Sequence, residues 1–405
     1  MNITHPNKGI LLTLFLLLLT TFFSACSTDD DMILTSPPSN ERGHLVSYTK
    51  TGFVTAAEVA AAALTEGDVS AYTKYDLDIY AIVYNSLDGG NLLEVSGLIF
   101  MPKAVSGDLA LIQNHHGTII PGDDGEVPST YTGGPNGSSE MYFVGATMAS
   151  NGYVVSMPDY VGYGASSDRE HPYTVHRELA EVSVDMLRAT KQLMKTLSIG
   201  FSNEVHLTGW SEGGGAALAT HQYLQRKYAD EFNIIGSSLF AGPYDYFTFV
   251  KDVITNRNIA DEELSIYSWA LYATKNYNAT LNEVKNDNIW SYSVVNQLDA
   301  LSVPSLKPAG IFQVDFMDGI ANETNAEWVA ALKDNTLLEG WVPEGHLYFH
   351  SGTQDLIVPH YNSVNAHNYF KSLNVQSTLY EYTGGDHYTP LYDYVTTTLD
   401  DFNSL

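Results

Sequence analysis

Gly209-Trp210-Ser211-Glu212-Gly213 holds a serine between two glycines. It stands where a strand-like run, 205–208, meets a helix-like run, 211–227. A serine hydroxyl there can attack a carbonyl carbon if a base takes its proton and a carboxylate orients that base. The chain has 13 histidines, so most must serve structure or surface. His387 stands out because Thr383-Gly-Gly-Asp-His387 follows the strand-like run 377–382 and precedes the last helix. Asp355, in His350-Ser-Gly-Thr-Gln-Asp355, also follows a strand-like run. After a strand–turn–helix G-x-S-x-G, acid and then base are expected in that chain order. Asp386 and Asp318 compete with Asp355 for the acid. The oxyanion formed by the attack needs backbone donors. The expected pair is the Glu212 N–H and the Thr118 N–H, the latter in the loop His116-Gly117-Thr118. The Glu212 side chain itself reads as a first-turn acid favoured by the helix dipole.

Two other polar groups bear on metal chemistry. Gly122-Asp-Asp-Gly-Glu126 lacks the alternating oxygen spacing of a calcium loop and reads as a polar loop. His115 and His116 are adjacent on a strand, so they point to opposite faces and do not readily share one ion. A single cysteine excludes a Cys-based zinc site and an intramolecular disulfide. No metal site is expected.

The elements that must position these residues alternate. Strands are expected near 77–83, 95–101, 109–114, 153–157, 205–208 and 234–241. Helices are expected at 55–66, 140–151, 175–198 and 211–227. In the helix 175–198, Leu179, Val182, Met186, Leu187, Leu193, Met194 and Leu197 fall at helical spacing. The pattern breaks at Pro243 and resumes with a strand at 347–350, a helix near 360–373, the strand 377–382 and a helix near 389–403. Such alternation predicts an α/β fold with a mainly parallel central sheet and helices on both faces. The catalytic domain is then expected over 46–242 and 346–405. The segment 243–345 is expected as a helical cap over the strands' C-terminal edge. It carries four of the five tryptophans, Trp269, Trp290, Trp328 and Trp341, among many Asn, Asp and Glu. Aromatics mixed with short polar side chains suit flat, partly polar ligands better than long acyl chains; if the carbonyl that Ser211 attacks is an ester's, they predict short acyl esters, on glycan or aromatic alcohols.

The composition narrows the partners. With 19 Lys and Arg against 47 Asp and Glu, the net charge is −28. That argues against nucleic-acid binding and against docking on anionic lipid through a basic patch. The N-terminus is an address. The apolar run 9–23 follows Lys8 and ends in Ser24-Ala25-Cys26. Phe23-Ser-Ala-Cys26 resembles the lipobox of bacterial lipoproteins, with the only cysteine at the position that is acylated. Residues 1–25 are therefore expected to be a signal peptide and 26–45 a tether. Asp29-Asp30-Asp31 resembles the export tag of Bacteroidetes surface lipoproteins, with a solvated spacer as the alternative. The expected location is the cell envelope: outer membrane, through a lipid on Cys26, with surface display open.

Taken together, HHGT (115–118), MPDYVGYGAS (157–166), GWSEGGG (209–215), SGTQDLIVP (351–359) and GGDH (384–387) resemble the α/β-hydrolase superfamily. The PDY-x-G-x-G-x-S stretch and the long cap resemble its secretory-lipase branch, over roughly 70–405. The resemblance implies hydrolysis of carboxylic esters without a cofactor. It implies Ser211 as nucleophile, Asp355 as acid and His387 as base, with Asp159 in a structural turn. Secreted relatives often carry disulfides, which this chain lacks. A serine peptidase of the prolyl-oligopeptidase or aminopeptidase kind stays open, since the cap has 15 acids against 6 bases and could bind a substrate amine. No propeller repeat supports it. A non-catalytic glycan-binding lipoprotein is the reading from another class. Oligomeric state is not read from the sequence.

Overall fold

The computed structural model describes residues 41–256, 263–295 and 308–405. The apolar run 9–23, Cys26 and most of the expected tether lie outside the described residues.

The described chain runs β1 (Leu45–Val54), α1 (Ala56–Ala63), β2 (Leu77–Asp88), β3 (Asn91–Pro102) and β4 (Leu109–His115). A π-helical turn, Glu140–Gly145, leads into α2 (Ala146–Ser150). Then come β5 (Val154–Pro158), α3 (His176–Thr196), β6 (Phe201–Trp210), α4 (Glu212–Lys227) and β7 (Asn233–Phe240). A helical segment follows: α5 (Tyr246–Asn256), α6 (Glu263–Asn276), α7 (Tyr292–Val295), α8 (Pro308–Ile311), α9 (Val314–Ala321) and α10 (Ala326–Asp334). The chain closes with β8 (His346–Gly352), α11 (Tyr361–Ser372), β9 (Ser377–Tyr382) and α12 (Leu391–Ser404).

The nine strands form one sheet in the order β1-β2-β3-β5-β4-β6-β7-β8-β9. From β5 to β9 every neighbouring pair is parallel, while β1, β2, β3 and β5 pair antiparallel. This is the expected mainly parallel α/β sheet.

Strand alternation sorts side chains to two cores. On β3, Val95, Ile99 and Met101 join the cluster under α3, α4 and α11. Leu98 and Phe100 join the cluster under α1, α2 and α12. In α3 the residues at helical spacing, Leu179, Val182, Met186, Leu187, Leu193 and Met194, are all buried. Each contributes roughly 1.5–3 kcal/mol of burial before conformational entropy is counted. A capping box starts α1: Thr55 Oγ1 accepts from the Glu58 N–H, and the Glu58 carboxylate accepts from the Thr55 N–H.

β1 was not among the expected strands. It is an edge strand with register shifts at Leu45/Ser47 and Lys50/Gly52, so its apolar alternation is broken. It also begins at Leu45, the last residue of the expected tether, and Leu45 is buried. Arg42, three residues earlier, already pairs with the buried carboxylate of Asp185 at 3.0 Å. The fold therefore takes up the chain before residue 46.

The helical segment between β7 and β8 has its own apolar cluster, including Phe249, Val253, Leu271, Trp290, Phe312, Phe316, Ile320 and Trp328. No helix among the described residues is long and apolar enough to cross a membrane.

Candidate active site

β6 delivers Ser211 to the start of α4. Ser211 has φ +58° and ψ −123°, a conformation costly for any residue with a Cβ. The turn persists because its surroundings hold it. The Ser211 N–H donates to Phe240 O at the end of β7 (2.9 Å). The flanking glycines have a steric reason. A Cβ on Gly209 would lie 2.1 Å from Gly213 O, and one on Gly213 would lie 2.0 Å from His115 O. Strand and helix pass too closely there for a side chain.

The loops after β8 and β9 deliver the other two groups, and backbone bonds join them. The Thr353 N–H donates to Tyr382 O (3.1 Å) and the Gln354 N–H to Gly385 O (2.9 Å). Ser211 Oγ lies 2.9 Å from His387 Nε2. His387 Nδ1 lies 2.7 Å from Asp355 Oδ2. Asp355 Oδ1 accepts the Ile357 and Val358 N–H groups (2.9 and 3.0 Å), which fixes the carboxylate. As an acceptor-only carboxylate it calls for Nδ1–H, which leaves the Nε2 lone pair for the serine hydroxyl. The Trp210 indole N–H donates to His387 O (3.0 Å) and pins the histidine loop to the serine turn.

The competing acids are elsewhere. Asp386 is exposed, and its Oδ1 accepts the Tyr388 and Thr389 N–H groups, which lower its pKa. Asp318 is exposed on α9. Asp159 is buried; it accepts from Ser96 Oγ (2.6 Å) and the Ser129 N–H (2.8 Å), and burial pushes it up to about 6. That bonding is structural.

Thr118 and Glu212 line the same cavity as Ser211 and His387. The neighbouring Gly117 N–H is already donated to Glu140 Oε1 (2.8 Å). Thr118 Oγ1 is hydrogen-bonded to Tyr173 Oη (2.8 Å). The Glu212 side chain is more than a first-turn acid at a surface. It is buried; Oε1 lies 2.9 Å from His171 Nε2 and accepts the Thr174 N–H (3.0 Å). His115 and His116 are both buried and turned to different partners, Thr208 and Thr220 for one, Gly117 and Asp159 for the other. Among the described residues no group of three His, Cys, Asp or Glu is placed to hold a metal ion.

The cavity above Ser211 has a volume of about 490 Å³. Its lining includes apolar side chains, Phe249, Val250, Val253, Ile266, Leu271 and Val358, and polar and acidic ones, Glu66, Glu126, Ser138, Ser139, Glu140 and Tyr142. The four tryptophans of the helical segment are not in this wall. Trp290 and Trp328 are fully buried in the segment's own core. Trp341 packs on His221 and Phe370 of the main core. Trp269 stacks on Tyr173 at 4.1 Å. The ligand-facing role expected of them is therefore corrected: burial claimed them, and the tryptophan at the cavity is Trp210. The aromatic lining was not legible because it depends on which helix faces turn inward. Glu140 was also missed, since a Glu after two serines reads as an ordinary helix-start acid.

Solved structures share this architecture. A Legionella pneumophila protein assigned as a hydrolase superposes with TM-score 0.79 at 25% identity, covering 90% of this chain and 98% of its own. The rice cell wall degrading esterase LipA from Xanthomonas oryzae gives TM-score 0.76 at 20% identity, covering 90% and 99%. Candida antarctica lipase A gives 0.62 at 16%, covering 86% and 79%. The last two speak to the fold alone. No curated protein matches the sequence. The model of the secretory lipase family matches residues 135–399, which include the serine turn, both catalytic-loop candidates and the whole helical segment. The chain belongs to the secretory lipase family of α/β-hydrolase esterases and lipases, and is a carboxylic-ester hydrolase.

Proposed function

We propose that Ser211, His387 and Asp355 act as a catalytic triad through an acyl-enzyme. The observation that carries this is the unbroken hydrogen-bonded chain from Ser211 Oγ through His387 to Asp355 at the floor of the cavity. Ser211 Oγ attacks the ester carbonyl as its proton passes to His387 Nε2. The Glu212 and Thr118 N–H groups receive the oxyanion. The carbonyl re-forms, the C–O bond to the alcohol breaks, and His387 returns the proton to the leaving alkoxide. Water, deprotonated by His387, then attacks the acyl-enzyme and releases the acid. Asp355 holds the imidazole tautomer and stabilises the imidazolium.

Residues 243–345 act as a cap that supplies the acyl side through α5 and α6. A cavity of about 490 Å³ that takes up both sides of the ester favours short acyl chains. The polar part of its lining suits a hydroxyl-rich alcohol such as a glycan. The protein works in the cell envelope, held by a lipid on Cys26. The test is kcat/KM across p-nitrophenyl acetate, butyrate, octanoate and palmitate. A maximum at acetate or butyrate is expected. A maximum at palmitate with activation on emulsions overturns the acyl preference and favours a lipid-surface lipase.

A further inference from the structure

Glu140 is a buried carboxyl next to the reacting centre that the triad does not use. It starts the π-helical turn Glu140–Gly145, and its Oε1 accepts the Gly117 N–H at 2.8 Å. Gly117 is wedged against the serine turn: a Cβ there would lie 3.2 Å from Trp210 O and 3.6 Å from Ser211 Cβ. The carboxyl therefore sits across one peptide from the nucleophile. By taking the Gly117 N–H it sets the orientation of the loop that carries Thr118 beside Ser211. Tyr173 holds the Thr118 side chain from the other side.

Resting on the triad reading, we propose that Glu140 is a positioning residue that aims the Thr118 N–H at the oxyanion and does so in its protonated form. The groups around it explain the charge state. Glu126 and Glu212 act on it with like charge, and Tyr160 and Tyr394 face it as neutral phenols. Glu66, Tyr142, Tyr173 and His387 share its cavity, and no Lys or Arg is among the lining residues. With no cation to pair it, burial drives the carboxyl up to about 8. Below that pH it is a neutral acceptor for Gly117. Above it, a negative charge appears one peptide away from where the oxyanion grows, and that charge opposes the transition state. The tyrosines titrate far higher, so the alkaline limb belongs to Glu140.

The test compares pH profiles of kcat and KM on p-nitrophenyl butyrate for wild type, Glu140→Gln, Glu140→Ala and Ser211→Ala. In the wild type kcat falls about tenfold or more as pH rises from 7 to 9. Glu140→Gln keeps an acceptor and cannot ionise, so the alkaline limb disappears. Glu140→Ala loses kcat about tenfold or more at pH 7 with KM nearly unchanged, and Gln in its place restores most of that loss. If the alanine variant does not fold, the Gln profile alone decides. Hydrolysis retained by Ser211→Ala overturns the triad reading and this proposal with it. An inactive Ser211→Ala beside an unaltered alkaline limb in Glu140→Gln overturns the proposal alone.

Discussion

Acid should unfold this protein early, and five histidines set the scale. His115, His176, His206 and His221 are pushed down to about 4 and His350 to about 3, in each case mainly by burial. His350 bonds Ser238 Oγ and Tyr382 Oη, and His206 lies between Tyr153 and Phe402. A depressed histidine stays neutral in the fold but protonates in the unfolded chain below about 6.5. Stability is therefore complete above that pH and is lost as pH falls toward 4. Each proton difference is worth about 1.4 kcal/mol per pH unit. Between pH 7 and 5 the five together remove about 10 kcal/mol. Glu140 and Asp159 have raised values, about 8 and about 6, and so return stability over the same interval. Their return is about 4 kcal/mol, so these seven groups together cost about 6 kcal/mol against a typical total of about 5–15 kcal/mol. Urea unfolding followed by fluorescence at pH 7, 6 and 5 measures it, and the midpoint should fall by roughly 40 % or more. His206→Leu, apolar between two aromatic rings, should reduce the pH 7-to-5 loss by about 2 kcal/mol. Equal midpoints at pH 7 and 5, or a wild-type pH dependence in His206→Leu, would show that the buried histidines do not set the acid stability.

Two further outcomes follow from the site. Gly213→Ala places a Cβ 2.0 Å from His115 O, so the serine turn must shift; kcat should drop by about a hundredfold or more while the protein still folds, as followed by circular dichroism and p-nitrophenyl butyrate turnover. Asp355→Asn removes the acceptor that fixes the His387 tautomer and should lower kcat by roughly 10³–10⁴-fold, with Asp386→Asn near wild type in the same assay.

What could be read in the sequence shares a physical cause. Gly209, Ser211 and Gly213 announce themselves because a strained φ and a close backbone crossing restrict residue type locally. The buried parallel strands and α3 were legible because their apolar residues follow one period. The rest depends on distant neighbours. β1 is bulged and lies at the sheet's edge, so neither alternation nor apolar content marks it. Trp290 and Trp328 look available to a ligand until Phe312, Phe316 and Leu271 close around them. Glu140 matters through Gly117, on a separate loop, and Glu212 through His171 and Thr174. No local pattern encodes those pairings.

On the triad proposal, Ser211 is the group that is acylated. Its most direct test is to react the protein with a fluorophosphonate and locate the adduct by peptide mass spectrometry, alongside Ser211→Ala and His387→Ala. One adduct is expected, on Ser211, formed in step with loss of esterase activity, absent in Ser211→Ala and greatly slowed in His387→Ala. An adduct on another serine, or ester hydrolysis that persists in Ser211→Ala, would contradict it.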